Sequence, residues 1–155
     1  MTIAKRLKGF LDENNVKYTV ISHNKAYTAQ RIASSSHISG KELAKTVVLK
    51  IDGKFALAVL PASDKVSCSH FADTLDAKSV ELASEEEFRG IFPDCETGAM
   101  PPFGNLYNLT TYVASDLVDE ENIAFNAGNY IELIKMKYSD YENLVKPTVI
   151  HFELN

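Results

Sequence analysis

Cysteine is scarce in this sequence: Cys68 and Cys95 are the only two among 155 residues. No C-x-x-C pair occurs and the four histidines are scattered, which excludes a disulfide framework and a zinc set of ordinary spacing. Two free, reduced thiols are the expectation. Long apolar runs are missing too. The longest uncharged apolar run, residues 55–62, falls far short of the roughly 20 residues that cross a bilayer. The opening Met1-Thr2-Ile3-Ala4-Lys5-Arg6 lacks the apolar segment of a signal peptide. A cytoplasmic chain with no membrane partner is therefore expected. Also absent are a P-loop, G-x-G-x-x-G, G-x-S-x-G and H-E-x-x-H. Nucleotide hydrolysis, Rossmann redox chemistry and zinc proteolysis thus lose their usual signatures. Nothing local suggests a Ser-His-Asp triad, and no cofactor or metal is expected.

What is present is ordinary in amount. Hydrophobic residues make up 45% and charged residues 24%, the proportions of soluble folded domains. The length suits one domain over residues 1–155, able to bury roughly 68–70% of its unfolded surface. A net charge of −5 argues against bulk adhesion to nucleic acid, so no DNA partner is expected. The charge is lopsided, however. Residues 1–54 hold 10 Lys/Arg against 4 Asp/Glu, and residues 55–155 hold 6 against 17. A basic face on an acidic protein fits that division, as does plain solvated charge on helices.

Near the N-terminus, Ile3, Leu7, Phe10 and Leu11 recur at helical spacing and predict an amphipathic helix ending near Asn14-Asn15. Residues 17–21 alternate as a short strand. Thr28 can cap a second helix to about residue 36, with Ala29, Ile32 and Ala33 inward. The clearest element is a hairpin, in which residues 46–51 and 54–60 flank Asp52-Gly53, a pair suited to the positive φ angles of a type I′ turn. Its nearly continuous apolar arms belong to a sheet centre covered on both sides. Further on, a helix over 69–75 and a strand over 79–82 are predicted, then a capping box of Ser84 and Glu87 opening a helix to Arg89. Strands follow at 112–114, 122–126 and 131–136. Ser139 with Glu142 forms a second capping-box pattern, for a helix to about Lys146, and 148–154 reads as a final strand. Residues 92–108 have no period and hold three of five prolines and two of seven glycines; structured loops this long tend to be functional. The predicted class is α/β (mixed α+β), one domain with a mostly antiparallel mixed sheet flanked by helices.

Several residues could carry chemistry. The loop Gly98-Ala99-Met100-Pro101-Pro102-Phe103-Gly104 pairs glycines that relax the backbone with prolines that stiffen it and remove amide donors. It suits carbonyls presented outward to an ammonium or hydroxyl, or else a structural turn over a core edge. Lys45, at the mouth of a buried strand, could meet an anion or simply snorkel. His23 is a loop histidine; Asn126-Ala127-Gly128-Asn129-Tyr130 joins two strands as a turn. Tyr107, Tyr112, Tyr130, Tyr138 and Tyr141 offer either stacking faces for bases or core packing. A thiol hydrolase built on Cys68 or Cys95 is a weaker reading. Neither has a thiolate-favouring context apart from Ser69-His70 beside Cys68.

Taken in order, His23 with Thr28, Lys45-Thr46-Val47-Val48-Leu49, Leu60-Pro61, the Gly98–Gly104 loop, Tyr112-Val113 and Phe125-Asn126-Ala127-Gly128 resemble the YbaK/prolyl-tRNA-synthetase editing-domain family over roughly residues 17–147. The resemblance implies a strongly curved sheet with a pocket at one end. It implies hydrolysis of the ester joining a wrong amino acid, such as alanine, serine or cysteine, to the terminal adenosine of tRNA. The partners would be the acceptor end of aminoacyl-tRNA and, as a further candidate, an aminoacyl-tRNA synthetase. Lys45 and Gly98 would stand at the chemistry, Lys45 holding the terminal phosphate or adenosine. His23, Thr28, Ala99, Met100, Pro101, Pro102, Phe103, Gly104, Asn126, Gly128, Asn129 and Tyr130 would line the substrate site. Chemistry in the family is thought to depend on positioning rather than on a nucleophilic side chain, which suits the missing triad. Tyr130 stands where many members have histidine, and Ala114 where many have aspartate. A catalytically weak binding module for the same ligand is the alternative.

Overall fold

The computed structural model describes residues 4–22, 38 and 41–151. Helix α1 (Lys5–Glu13) follows the apolar spacing and buries Leu7 and Leu11 fully. It leads into strand β1 (Tyr18–Ser22). The helix predicted from Thr28 lies outside the described residues.

Strands β2 (Ala44–Ile51) and β3 (Lys54–Pro61) form the predicted hairpin, in register from Ala44 opposite Pro61 to Ile51 opposite Lys54. Asp52 (φ +50°) and Gly53 (φ +85°) adopt the left-handed geometry a type I′ turn requires. The Asp52 carboxylate also accepts the Lys78 and Ser79 amides at 2.8 Å. Helix α2 (Cys68–Leu75) is capped by Ser67, whose hydroxyl accepts the His70 amide. Strand β4 (Val80–Leu82) and helix α3 (Glu85–Phe88) follow, the latter opened by the Ser84–Glu87 capping box. After a long loop come β5 (Thr110–Ala114), α4 (Ser115–Val118), β6 (Asn122–Asn126), β7 (Glu132–Lys137), α5 (Tyr138–Val145) and β8 (Thr148–Ile150).

Most boundaries shift by one or two residues from the sequence reading, β2 starting at Ala44 and β5 at Thr110. Helix α5 starts at Tyr138 without a side-chain cap, so Ser139 lies inside it. Its first orphan donor, the Tyr138 amide, is taken by the Glu121 carbonyl at 2.9 Å, so no serine cap is required. The last strand ends at Ile150; residues 152–155 lie outside the described residues.

The class is mixed α/β, and the strands divide into two sheets. One has the order β1-β7-β6, antiparallel throughout. The other has the order β4-β2-β3-β5-β8, with β4-β2-β3 antiparallel and β3-β5-β8 parallel. β3 sits at its centre and is buried from Ala56 to Pro61. The sheets meet at a parallel bridge between Leu43 and Ala124. At that bridge the Ala124 amide donates to the Glu42 carbonyl at 3.0 Å. Because β3 occupies one edge of β2, β6 meets the other edge first, and β4 takes that edge over from Leu49 onward. Helix α2 covers one face of the larger sheet, where Leu49, Ala58, Leu60, Phe71, Ala114 and Ile150 pack together. The 92–108 loop covers the opposite face, through Phe92, Met100 and Tyr107 against Val48 and Leu57. The largest apolar cluster is shared by both sheets, α1 and α5.

Candidate substrate site

From the Leu43–Ala124 bridge the two chains run in the same direction, and Lys45 and Asn126 each lie two residues beyond it. Leu43 and Ala124 pack with Ile38 and Leu133. Strand alternation gives Lys45 and Asn126 that same face. Lys45 is half-buried opposite Leu60. Burial pushes its ammonium pKa down and Asp64 draws it back up, while Lys65 adds to the lowering. His23 and Thr28 lie outside the described residues.

The turn that continues from Asn126 is clasped to the start of the Gly98 loop. Glu96 N–H donates to the Gly128 carbonyl at 2.7 Å, and Gly128 N–H returns a bond to the Ala99 carbonyl at 3.0 Å. The Tyr130 amide donates to Glu96 Oε2 at 2.8 Å, and the Tyr130 hydroxyl donates to the Thr97 carbonyl. Burial, with help from Glu85 and Glu96, raises the pKa of that phenol. Gly98 has φ +93°, and a Cβ there would run into the Tyr130 hydroxyl. Gly128 has φ +97°, with Ala4 Cβ 2.7 Å from where its own Cβ would stand. Both positions therefore need glycine for conformation and for space.

Asn129 is fully buried and braces the turn itself. Its carbonyl oxygen accepts the Ile131 and Glu132 amides at 2.9 Å, and its amide donates to Glu132 Oε1 at 3.1 Å. The proline loop corrects one expectation, since its carbonyls do not face outward. The Pro102 carbonyl accepts the buried Tyr141 hydroxyl at 2.7 Å, and the Pro101 carbonyl accepts the Phe103 amide at 2.8 Å. Ala99, Met100, Pro101, Pro102, Phe103 and Gly104 are all buried, leaving Gly98 as the exposed point of the rim. The reason is the Phe103 ring, which packs against Phe10, Phe125 and Tyr141 and draws the loop inward. Gly104 is held from below, its amide donating to Thr111 Oγ1 at 3.1 Å.

Two acids around the site, Asp94 and Glu42, were not singled out from the sequence. Asp94 Oδ1 accepts the Tyr107 hydroxyl at 2.9 Å, and Cys95 Sγ lies 3.4 Å from that hydroxyl. Burial drives the Cys95 thiol up to about 11, so it is neutral near pH 7 and no thiolate nucleophile. Cys68 sits in the α2 layer; both cysteines are free. Glu42, three residues before Lys45, pairs with Lys135 of β7 at 3.4 Å and ties the two sheets together by its side chain as well as its carbonyl. Isolated acids on loops carry no periodic signal, which is why spacing could not reveal them. Ala114 is buried among Leu60, Phe71 and Ile150, so an aspartate there would meet an apolar wall. Among the described residues, no group of three or more His, Cys, Asp or Glu side chains is arranged to hold a metal ion.

Two features stand out: a half-buried cation two residues past the sheet junction, and a rim clasped by backbone bonds to the turn that follows Asn126. The chain belongs to the aminoacyl-tRNA editing domain family, whose model matches residues 23–144. The multifunctional Ser/Thr-tRNA deacylase ProXp-y of Escherichia coli K12 is 27% identical over 154 residues, covering 96% of this chain and 91% of the relative. The prolyl-tRNA editing protein ProX of Acetoanaerobium sticklandii is 25% identical over 143 residues, covering 88% and 86%. The crystal structure of a candidate trans-editing enzyme for prolyl-tRNA synthetase shares the fold, with a TM-score of 0.83, 18% identity and 98% and 97% of the two chains covered.

Proposed function

We propose that the protein hydrolyses, in trans, the ester between a wrongly attached amino acid and the terminal adenosine of tRNA. Water adds to the ester carbonyl; the tetrahedral oxyanion then collapses to a free amino acid, and the ribose hydroxyl regains its proton. The whole chain acts as one cytoplasmic editing domain. The clasp joining the Gly98 rim to the Gly128–Tyr130 turn, which continues from the strand bridged to the Lys45 segment, carries this reading. Family membership supports it, as do the activities for which the relatives are named.

In this reading Lys45 holds the terminal phosphate or the adenosine. Gly98, exposed and held at φ +93° with its amide donating to Met100 Sδ at 3.1 Å, shapes the rim against which the ester and the water are positioned. Asn126, Gly128 and Tyr130 face the acyl group, with His23 and Thr28 assigned to the same substrate site by the family resemblance, while residues 99–104 and Asn129 hold the wall rigid from behind. Orientation supplies about 7–11 kcal/mol in well-placed systems, and one fixed oxyanion donor about 2.7–4 kcal/mol. An activated ester therefore needs no thiolate. Alanine, serine and cysteine are the candidate acyl groups, and threonine joins them from the name of the ProXp-y relative. The cationic surplus of residues 1–54 would meet acceptor-stem phosphates, and a synthetase would be the docking partner.

Labelled, mischarged tRNAs carrying each of these amino acids, incubated with pure protein, test the reading. At least one should lose label faster than it does spontaneously. Lys45→Ala should lower kcat/KM by about 10- to 150-fold, the effect of losing a charged hydrogen bond of about 1.5–3 kcal/mol, with an unchanged far-UV spectrum. Protection of the ester in place of release would identify a binder, and an unaltered Lys45→Ala rate would remove the anchor.

A further inference from the structure

Helix α1 lies outside the 23–144 stretch that defines the family, and the site proposed above has no residue on it. Nevertheless it touches both halves of that site. The Ala4 amide donates to the Ala127 carbonyl at 2.9 Å, and Ala4 fills the space over Gly128. Two residues on, Arg6 grips the loop on both flanks. Its backbone amide donates to Asp94 Oδ2 at 3.3 Å, and its guanidinium donates to the Leu106 carbonyl at 3.3 Å. The same guanidinium stands 5.1 Å over the Tyr107 ring, whose hydroxyl is bonded to the other oxygen of Asp94. Asp94 precedes the Gly98 rim and Leu106 follows it. Arg6 thus closes the base of the loop, its backbone amide on the Asp94 side and its guanidinium on the Leu106–Tyr107 side, two residues from the Ala4 that seats the turn.

We infer that Arg6 is a positioning residue: it fixes the separation of the Gly98 rim from the Gly128–Tyr130 turn without touching substrate. The inference rests on the reading that this rim and turn hold the aminoacyl end. A surface charge by itself contributes little, but here the planar fork engages a carbonyl and a ring face together. Lysine cannot reproduce that geometry. A displacement of about 1 Å at reacting groups can cost about a hundredfold in rate, so the loop's seat bears directly on turnover.

Arg6→Ala and Arg6→Lys test this by amide hydrogen exchange and by deacylation kinetics. Both variants should exchange at least about tenfold faster in residues 96–104 and 126–130, with the β2–β3 hairpin unchanged. Both should lose about 10- to 100-fold in kcat, with KM within about twofold of the parent. Phe71→Leu, which loosens the α2 layer instead, should keep parental kcat and loop exchange. Unchanged exchange in both segments overturns the inference. So does parental behaviour of Arg6→Lys, which would reduce Arg6 to a point charge, or an equal kcat loss in Phe71→Leu. If the parent deacylates nothing on the panel, the functional reading fails, and the exchange data still decide whether Arg6 seats the loop.

Discussion

Position 98 accepts glycine for two separate reasons, a φ of +93° and the Tyr130 hydroxyl standing where a Cβ would be. Gly98→Ala should therefore cost more than about 1 kcal/mol of unfolding free energy in urea. Tyr130→Phe removes the oxygen and leaves the φ strain, so the double variant should recover part of the loss. Coupling of about 0.5 kcal/mol or more in the double-mutant cycle is the expected result; strict additivity would show that the phenol does not crowd the rim. The sequence marked this loop as stiff through Pro101 and Pro102, between the permissive Gly98 and Gly104. It could not show which way the carbonyls point, because that direction is set by Tyr141 and Phe125, far along the chain. Glu96 acquires its role through Tyr130, 34 residues away.

Among the elements, those with local causes were legible. Asp52-Gly53 specified the hairpin, and the Ser84–Glu87 box opens α3 as its spacing predicts. That box also answers to pH. Lys50, 2.6 Å away, holds the Glu87 carboxyl down to about 2 against a usual 4.5, and the bonds of Ser84 add to the effect. A lowered folded-state pKa stabilises fully above about 4.5, and the benefit is lost as pH falls toward 2. The urea midpoint should drop across that window, and Glu87→Gln should flatten part of the slope. An identical slope in the variant would rule out the pair. Because Glu87 is exposed, added salt should weaken the effect. Helix α5 is the counterexample: its start is decided by the Glu121 carbonyl and by burial of Tyr138 and Tyr141, not by the nearby Ser139.

For the whole molecule the decisive feature is a core shared between sheets. Ala44, Val59 and Val113 of the larger sheet pack in one cluster with Ile123, Phe125, Ile134 and Met136 of the smaller, closed by Leu7, Leu11 and Tyr141. Neither sheet keeps its apolar face covered without the other, so one cooperative transition is expected. With seven tyrosines and no tryptophan, near-UV tyrosine dichroism and far-UV dichroism should give coincident urea curves; two separated midpoints would mean two independent units. The amino-acid order by itself determined the hairpin, most helices and strands, and the stiffness of the glycine-proline rim, since each depends on φ preferences and spacing within a few residues. Only the tertiary structure decided that the strands form two sheets, that Lys45 and Asn126 each lie two residues past their junction, and that α1 bonds to both flanks of the rim loop. Those arrangements arise from contacts between distant segments, such as Ala4 with Ala127, where burial of shared surface, rather than local propensity, selects the partner.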